Sequence, residues 1–486
     1  MARPLNFRQI SIELSIMDDI QRRFGRLGLF VPEIMLPRAG IDLEKWAVIA
    51  CDQFTQDRGY WEKVKNTAGG VPTALNLIYP EVFLSDGDHS RRISGIHQNM
   101  ERFLAENVFA EPRTGCVYVE RDTPHNSGRR GLVVAVDLEH YDWKHAGQRL
   151  IRCTEGTISE RLPPRMDIRR GAALETTHIL LLIDDEQDTL LPALAQRVAG
   201  KAPAYRSELM LGSGSIRGWF LDSVADWAFI ADELEALARK ALTRYQNSTA
   251  GTIAPDAEPF LFAAGDGNHS LATAKEIWEE YKKNNAAENA TAVTADGLPI
   301  HPCRYALVEI ENLYDPAVTF EPIHRVLFGL NHGQAAAVLA QLPDFASREV
   351  SNRSELASLV KERSDTNRLG LISRNAAASA IRYTLIETSA PGVITAALQP
   401  LLDKKLQTQD SNSTLLIDYI HGEDELFRLA ETDNAEMPAA GLLLPPIPKS
   451  GLFETVAHSG PLPRKSFSMG EACEKRFYLE CRKLFG

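Results

Sequence analysis

The stretch Gly265-Asp266-Gly267-Asn268-His269-Ser270 concentrates chemically capable residues. It follows an apolar run, Pro259 to Ala264. It precedes Leu271, Ala274, Trp278 and Tyr281, spaced as one face of a helix. The pattern predicts strand, turn and helix. Two glycines permit positive φ and let a ligand approach the main chain. The first N–H groups of a helix have no internal acceptor, and the helix dipole favours an anion there. Such a turn suits phosphate. A carboxylate beside it, Asp266, must then hold a cation such as Mg²⁺ or accept a proton from an attacking hydroxyl. His269 can donate to a phosphate oxygen or carry a proton. A plainer reading also fits, in which Asp266 and Asn268 only cap a tight turn. The spacing matches neither a Walker loop nor a dinucleotide fingerprint.

A second candidate runs from Arg152 to His178. Up to Arg170, Arg152, Arg161, Arg165, Arg169 and Arg170 face Glu155, Glu160 and Asp167, so five cations oppose three anions. Thr154 adds a hydroxyl, and Pro163-Pro164 stiffens the chain before Arg165. Arginine forks suit phosphate or carboxylate. The alternative is a solvated loop with surface ion pairs. A third candidate is Leu462 to Lys483, where Arg464 and Lys465 precede a charged segment read as a docked C-terminal helix. Asp52, Gln53 and Thr55 follow the strand-like run Trp46 to Ala50, and polar residues at a strand end often line clefts. Cys51 has no evident base partner, which disfavours a thiol nucleophile. His324 and Arg325 either face the same cleft or lie on the surface. Asp418, His421, Glu423 and Asp424 fit a cation less well than a hydrogen-bonded loop.

The elements that must position these groups are mixed. Cys116–Glu120 and Gly131–Leu138 read as strands around a turn at His125–Gly128. His178–Asp184 and Arg304–Glu311 read as strands, and a helix opens at Asp188 and closes at Gly200. Ile10, Leu14, Met17, Ile20, Phe24 and Leu27 predict an amphipathic N-terminal helix. Asn285 to Gly297 reads as a loop. Beyond Phe328, helices are expected at Gln334–Leu342 and Thr395–Leu406, the latter interrupted or kinked at Pro400. Strands are expected at Leu369–Ser373, Ile381–Glu387, Leu415–Ile420 and Gly441–Leu444. The class is therefore α/β, mixed with α+β.

The chain has 486 residues, too many for one core, because single cores stop growing near ~250–300 residues. Hydrophobic residues make 44% and charged residues 24%, which excludes wholesale disorder. The net charge of −12 argues against a general polyanion binder, so nucleic acid is not expected as a partner. No apolar stretch is long enough to span a membrane, and no secretory leader is visible. Six scattered cysteines without a CxxC pair point to a reduced, cytoplasmic protein. The expected organisation is a helical arm at 1–27, a catalytic or nucleotide-binding region at 28–330, and an α/β region at 331–486 that closes the cleft.

Several segments occur together in order: Trp46 to Thr55, 152–157, 161–165, 265–275, 320–325, 418–424 and 463–478. This set resembles the bacterial domain-of-unknown-function 1015 family over roughly 28–484. Many members carry Asp-Gly-His-His-Arg where this chain has Asp266-Gly267-Asn268-His269-Ser270. That motif is similar to one in the ParB/sulfiredoxin-like superfamily, which includes free-serine kinases. The resemblance implies a ParB/sulfiredoxin-like mixed-sheet core with an additional α/β C-terminal region. It also implies a turn that cradles nucleotide phosphates, with an acidic residue as base. Here Asn268 replaces a histidine and Ser270 the arginine, so another cation must neutralise phosphate. Arg165, Lys275, Arg464 and Lys465 are candidates.

On this basis the expected activity is phosphoryl transfer to the hydroxyl of a small amino acid, L-serine first. The expected donor is ATP, ADP or polyphosphate, with Mg²⁺ on Asp266. Gly265, Gly267, Asn268, Ser270, Lys275, Arg152, Thr154, Arg161 and Arg165 would hold phosphates. Asp266 and His269 would be catalytic. Asp52, Gln53, Thr55, His178, His324, Arg325, Arg464 and Lys465 would face the substrate. The rival readings are a non-catalytic ParB-like nucleotide switch and a regulator that binds a phosphometabolite. A homodimer is compatible with all three.

Overall fold

The computed structural model describes residues 7–55, 57–144, 149–246, 258–285, 301–362, 364–375, 380–408, 415–432 and 438–485. It divides into two units, Met1–Val318 with Glu471–Gly486, and Thr319–Gly470. Both are mixtures of helix and strand, and the fold class is α/β. Among the described residues no helix is long and apolar enough to cross a membrane.

The first unit is organised by a nine-stranded mixed sheet. Its order runs Tyr205–Glu208, Ser215–Leu221, Cys116–Asp122, Arg129–Asp137, Tyr305–Asn312, Ile179–Ile183, Phe262–Asp266 and Ile151–Cys153, with Leu29–Phe30 pairing Arg129–Asp137. The central strand Ile179–Ile183 is buried at every position, as a run of five aliphatic residues covered on both faces should be. It runs parallel to Tyr305–Asn312 and antiparallel to Phe262–Asp266. Gly131 leaves room on this sheet for a buried side chain, because a Cβ there would fall 2.0 Å from Glu309 Oε1. The N-terminal helix Phe7–Arg26 buries Ile20 and Phe24 in this core and ties Arg23 to Glu235 at 2.9 Å. It is part of the first unit.

Two segments depart from the sequence reading. Arg152–His178 is ordered structure and not a solvated loop. It contains the strand Ile151–Cys153, the helix Leu162–Arg169 and the strand Leu174–Thr176. Prolines 163 and 164 sit in the helix's first turn, where a missing N–H costs nothing. Among its described residues the C-terminal tail forms no α-helix. Phe477–Tyr478 pairs Val48–Ile49, and Cys481–Lys483 pairs Leu174–Thr176. These pairings draw 471–486 into the first unit, whereas the sequence placed it with 331–486.

The second unit holds a seven-stranded sheet in the order Ala346–Val350, Ala380–Thr388, Asn367–Asn375, Ala439–Leu443, Phe320–Phe328 and Leu416–His421, with Phe467–Met469 on the first half of Phe320–Phe328. Every pairing is antiparallel. One apolar cluster packs the helices His332–Leu339 and Ile394–Gln407, and another packs Arg353–Lys361 and Glu423–Glu431. The helix 394–407 continues through Pro400. The predicted loop at 285–297 lies outside the described residues from 286 onward.

Candidate functional site

The strand 262–266 and the helix Asn268–Asn285 leave only Gly267 between them. Gly267 has φ +77°, and a Cβ there would meet Ile179 Cα at 3.2 Å, so glycine is required twice over. A register shift between Ala264 and Asp266 leaves Gly265 as the extra residue of a bulge, which re-aims Asp266 at the strand end. The 268–270 amides are first-turn groups without intrahelical acceptors. Leu271 N–H is the first to find one, on the Gly267 carbonyl at 3.0 Å. The turn is half-buried apart from Gly267, so a ligand can reach it.

The surrounding bonds fix this turn. Thr154, fully buried, donates to the Ala264 carbonyl at 2.5 Å, and Asn268 Nδ2 donates to the same oxygen at 3.2 Å. His269 Nε2 accepts the Ile158 N–H at 3.3 Å. Asp266 accepts the Gly267 N–H at 3.0 Å through Oδ1, and its Oδ2 lies 3.3 Å from Lys475 Nζ. The lysine side chain is 6% exposed and the aspartate 20%, so this cation is held against the turn with little solvent around it.

Ser270 opens onto a cavity of about 130 Å³. Leu77, Ile78, Leu84, Met100 and Ile168 give it apolar walls, while Cys51, Glu81, Arg165, Arg169, Glu175 and His178 add polar groups. Ser270 Oγ is 2.8 Å from His178 Nε2. Arg165 pairs with Glu81, and Glu175 receives Arg169 at 2.6 Å. Burial pushes the His178 pKa down, against Asp52, Asp266 and Glu175, whose charges favour its protonated form. Burial raises the Glu81 carboxyl, with Arg165 opposing and Asp52 assisting. The Cys51 thiol is pushed up by burial and by Asp52 and Glu81, which leaves no thiolate near neutral pH.

Of the residues singled out from the sequence, Thr154, Asp266, Gly267, Asn268, His269, Ser270, His178 and Arg165 meet around the turn and its cavity. Asp52 lies close enough to influence His178, Glu81 and Tyr478, and its Oδ1 accepts from Gln53 Nε2 at 3.0 Å. Thr55 is half-buried in the same loop. Arg152 is directed elsewhere: it stacks over Phe260 at 4.6 Å and donates to the Arg149 carbonyl. Arg161 is exposed, and its carbonyl accepts from Arg165. Lys275 is committed to Glu279 and the Leu138 carbonyl, both at 2.9 Å. It is therefore not the cation that replaces the missing arginine.

His324, Arg325, Arg464 and Lys465 belong to the second unit. Arg325 is fully buried, 4.7 Å from the Tyr419 ring centroid, and His324 Nδ1 accepts the Leu444 N–H at 3.1 Å. Arg325 is a core residue there, and His324, although buried, lines a cavity within that unit. Arg464 sits 6.0 Å from the same tyrosine ring. Lys475, not among the candidates drawn from the sequence motifs, is the cation that the structure places against Asp266. Its signal was the run Glu474-Lys475-Arg476-Phe477-Tyr478, where an apolar pair able to join a strand follows two cations.

The fit to a metal is poor. Among the described residues no group of three His, Cys, Asp or Glu side chains is arranged for a metal. Asp266 offers one carboxylate that already faces an ammonium, and a divalent cation beside Lys475 would be repelled.

The model of a family described as a protein of unknown function, DUF1015, matches residues 35–403. The chain belongs to that family. Among solved structures it is similar to a free serine kinase in complex with AMP, with TM-score 0.34 and 10% identity over 71% of this chain and 90% of that chain. A variant of free serine kinase in complex with ADP gives 0.35 and 10% over 73% and 93%. A conserved hypothetical protein from Pyrococcus furiosus gives 0.33 and 11% over 71% and 94%. No protein of curated function matches the chain in sequence.

Proposed function

We propose that the first unit transfers a phosphoryl group from a nucleotide or polyphosphate donor to the hydroxyl of a small amino acid, L-serine being the simplest that fits. One observation carries the reading: the first-turn amides of a glycine-bounded turn follow a carboxylate paired to a buried lysine, and through Ser270 they open onto a small cavity. Phosphoryl transfer requires alignment and charge neutralisation more than covalent chemistry. The 268–270 amides and Lys475 supply the neutralisation. The cavity suits the acceptor in size. Its Arg165–Glu81 pair offers a cation for an amino-acid carboxylate and an anion for its ammonium. Asp266 holds Lys475 in place and, as the carboxylate at the turn, receives the acceptor's proton.

The test is incubation with L-serine and ATP, ADP, pyrophosphate or polyphosphate, with phosphoserine measured by mass spectrometry. Phosphoserine should form with at least one donor. Asp266→Ala should lower the rate by ~10²–10³, as loss of one charge-stabilising group does, while the protein remains folded. Absence of product with every donor, or undiminished turnover by Asp266→Ala, overturns the reading. One observation favours a binding-only regulator instead: the Asp266 carboxylate is already satisfied by Lys475 and the Gly267 amide. That alternative predicts a nucleotide-induced rise in melting temperature with no product.

A further inference from the structure

Of the six residues in the 265–270 turn, only Ser270 lines the cavity. Its amide belongs to the first turn of the helix, where phosphate is favoured, while its hydroxyl faces the proposed acceptor space. The hydroxyl is bonded to His178 Nε2 at 2.8 Å, the reach of a nucleophile and its base. The imidazole is held edge-on to Tyr478, with ring centroids 5.3 Å apart. Serine thus stands where a phosphorylated member of the turn would connect the two halves of the site.

We propose that Ser270 is a nucleophile that carries the phosphoryl group as a phosphoserine enzyme, with His178 as its base. This deepens the phosphotransfer reading above and rests on it. In the first half, Ser270 Oγ attacks the terminal phosphorus of a nucleoside polyphosphate. The Oγ–P bond forms and the bridging O–P bond of the donor breaks. The bonding electron pair leaves with the nucleotide oxygen, and the hydroxyl proton passes to His178 Nε2. Low basicity from burial keeps the imidazole free to accept that proton at neutral pH, and the charges of Asp52, Asp266 and Glu175 stabilise the imidazolium once formed. The phosphoryl oxygens lie at the positive end of the helix and near Lys475, both favourable to their charge. In the second half, the acceptor hydroxyl attacks phosphorus and loses its proton to Asp266. The Oγ–P bond breaks, and Ser270 regains its proton from His178. The sum is donor plus alcohol giving nucleotide, phosphomonoester and one proton.

The experiment uses the full chain with ATP or, separately, ADP radiolabelled in the terminal phosphate, and no acceptor. Label should enter the protein and map to Ser270 after proteolysis. Adding unlabelled L-serine should discharge it as labelled phosphoserine. Ser270→Ala should take up no label, and His178→Asn should label at least ~10²-fold more slowly, the lower range for loss of a general base. Phosphoserine formed at the parental rate by Ser270→Ala overturns the covalent step and leaves direct transfer standing. Label confined to another residue overturns it as well. Neither label nor phosphoserine with either nucleotide, while polyphosphate and pyrophosphate also fail, removes the covalent step together with the phosphotransfer reading. Because the mapping is done on the parental protein, the result does not depend on a variant folding.

Discussion

Glu311 lies at the centre of a buried ionic cluster whose loss has a calculable effect. Arg121, Arg129 and Arg476 meet Glu309, Glu311 and Glu480, three cations against three anions, and each residue is at most 2% exposed. Glu311 accepts Arg121 at 2.6 Å and Arg129 at 2.8 and 2.5 Å, while Glu309 takes Arg476 at 2.6 Å. Glu311→Ala strips these bonds from two guanidiniums and leaves one net positive charge in a dry interior. Breaking a buried pair in this way costs ~3–5 kcal/mol. Removing both members of the pair, as in Glu311→Leu with Arg129→Leu, should recover more than half of that, since no charge is stranded. All six tryptophans, at 46, 61, 143, 219, 227 and 278, belong to the first unit, so urea unfolding followed by tryptophan fluorescence reads this unit alone. The consequence reaches the site, because Arg121 and Arg129 also donate to the Glu474 carbonyl and Arg121 to that of Lys475, at 3.3–3.4 Å. Glu311→Ala should therefore lose phosphoryl transfer even in conditions where it remains folded. A single variant within 1 kcal/mol of the parent, or a double variant no better than the single, refutes the reasoning.

Lys475→Ala should lower transfer by ~10²–10³, yet change first-unit stability by no more than ~1 kcal/mol because Asp266 retains solvent and the Gly267 amide. Equal losses of stability and rate would make Lys475 a structural residue only. His324 is buried as a neutral acceptor, its pKa driven to about 3 first by burial and then by Arg325. The unfolded chain, near 6.5, binds the proton first, so stability is intact above that value and falls as pH drops below it. From a folded value near 3, the loss at pH 5 is ~2 kcal/mol. Hydrogen exchange of peptides from 319–470 at pH 7.5 and pH 5 measures it, and His324→Asn, which keeps an acceptor without a titrating ring, should flatten the dependence. A dependence equally steep in His324→Asn would assign it to other groups.

Local pattern carried much of the fold. The hairpin Cys116–Asp122 and Arg129–Asp137, the strand 179–183 and the helix 268–285 follow from periodicity and glycine placement over a few residues. The segment 152–178 misled because its charges suggested solvent. Arg165 and Arg169 instead spend their charges on Glu81 and Glu175, partners that no local rule identifies, whereas Arg170 keeps exposed pairs with Asp167 and Glu280. Likewise Lys275 looked available for phosphate, but the helix hands it Glu279 one turn on.

The tail shows why the site itself was only half legible. If the turn holds phosphate, the cation absent at Ser270 has to come from elsewhere, and that requirement could be stated from the sequence. Its source could not, because Lys475 reaches Asp266 through the pairing of Phe477 with Ile49 and of Tyr478 with Val48, strands more than 400 residues apart in the chain. Such a pairing has no spacing signature. What it leaves in composition is a run of cations followed by aromatics near the end of an acidic protein. A charged terminal helix explains that run equally well until the cluster around Glu311 is seen to take up Arg476. Once Arg476 is placed on the sheet, its neighbour Lys475 is carried to the turn by backbone connectivity alone. The buried network and the candidate site are then one construction: the first sets where the second finds its positive charge.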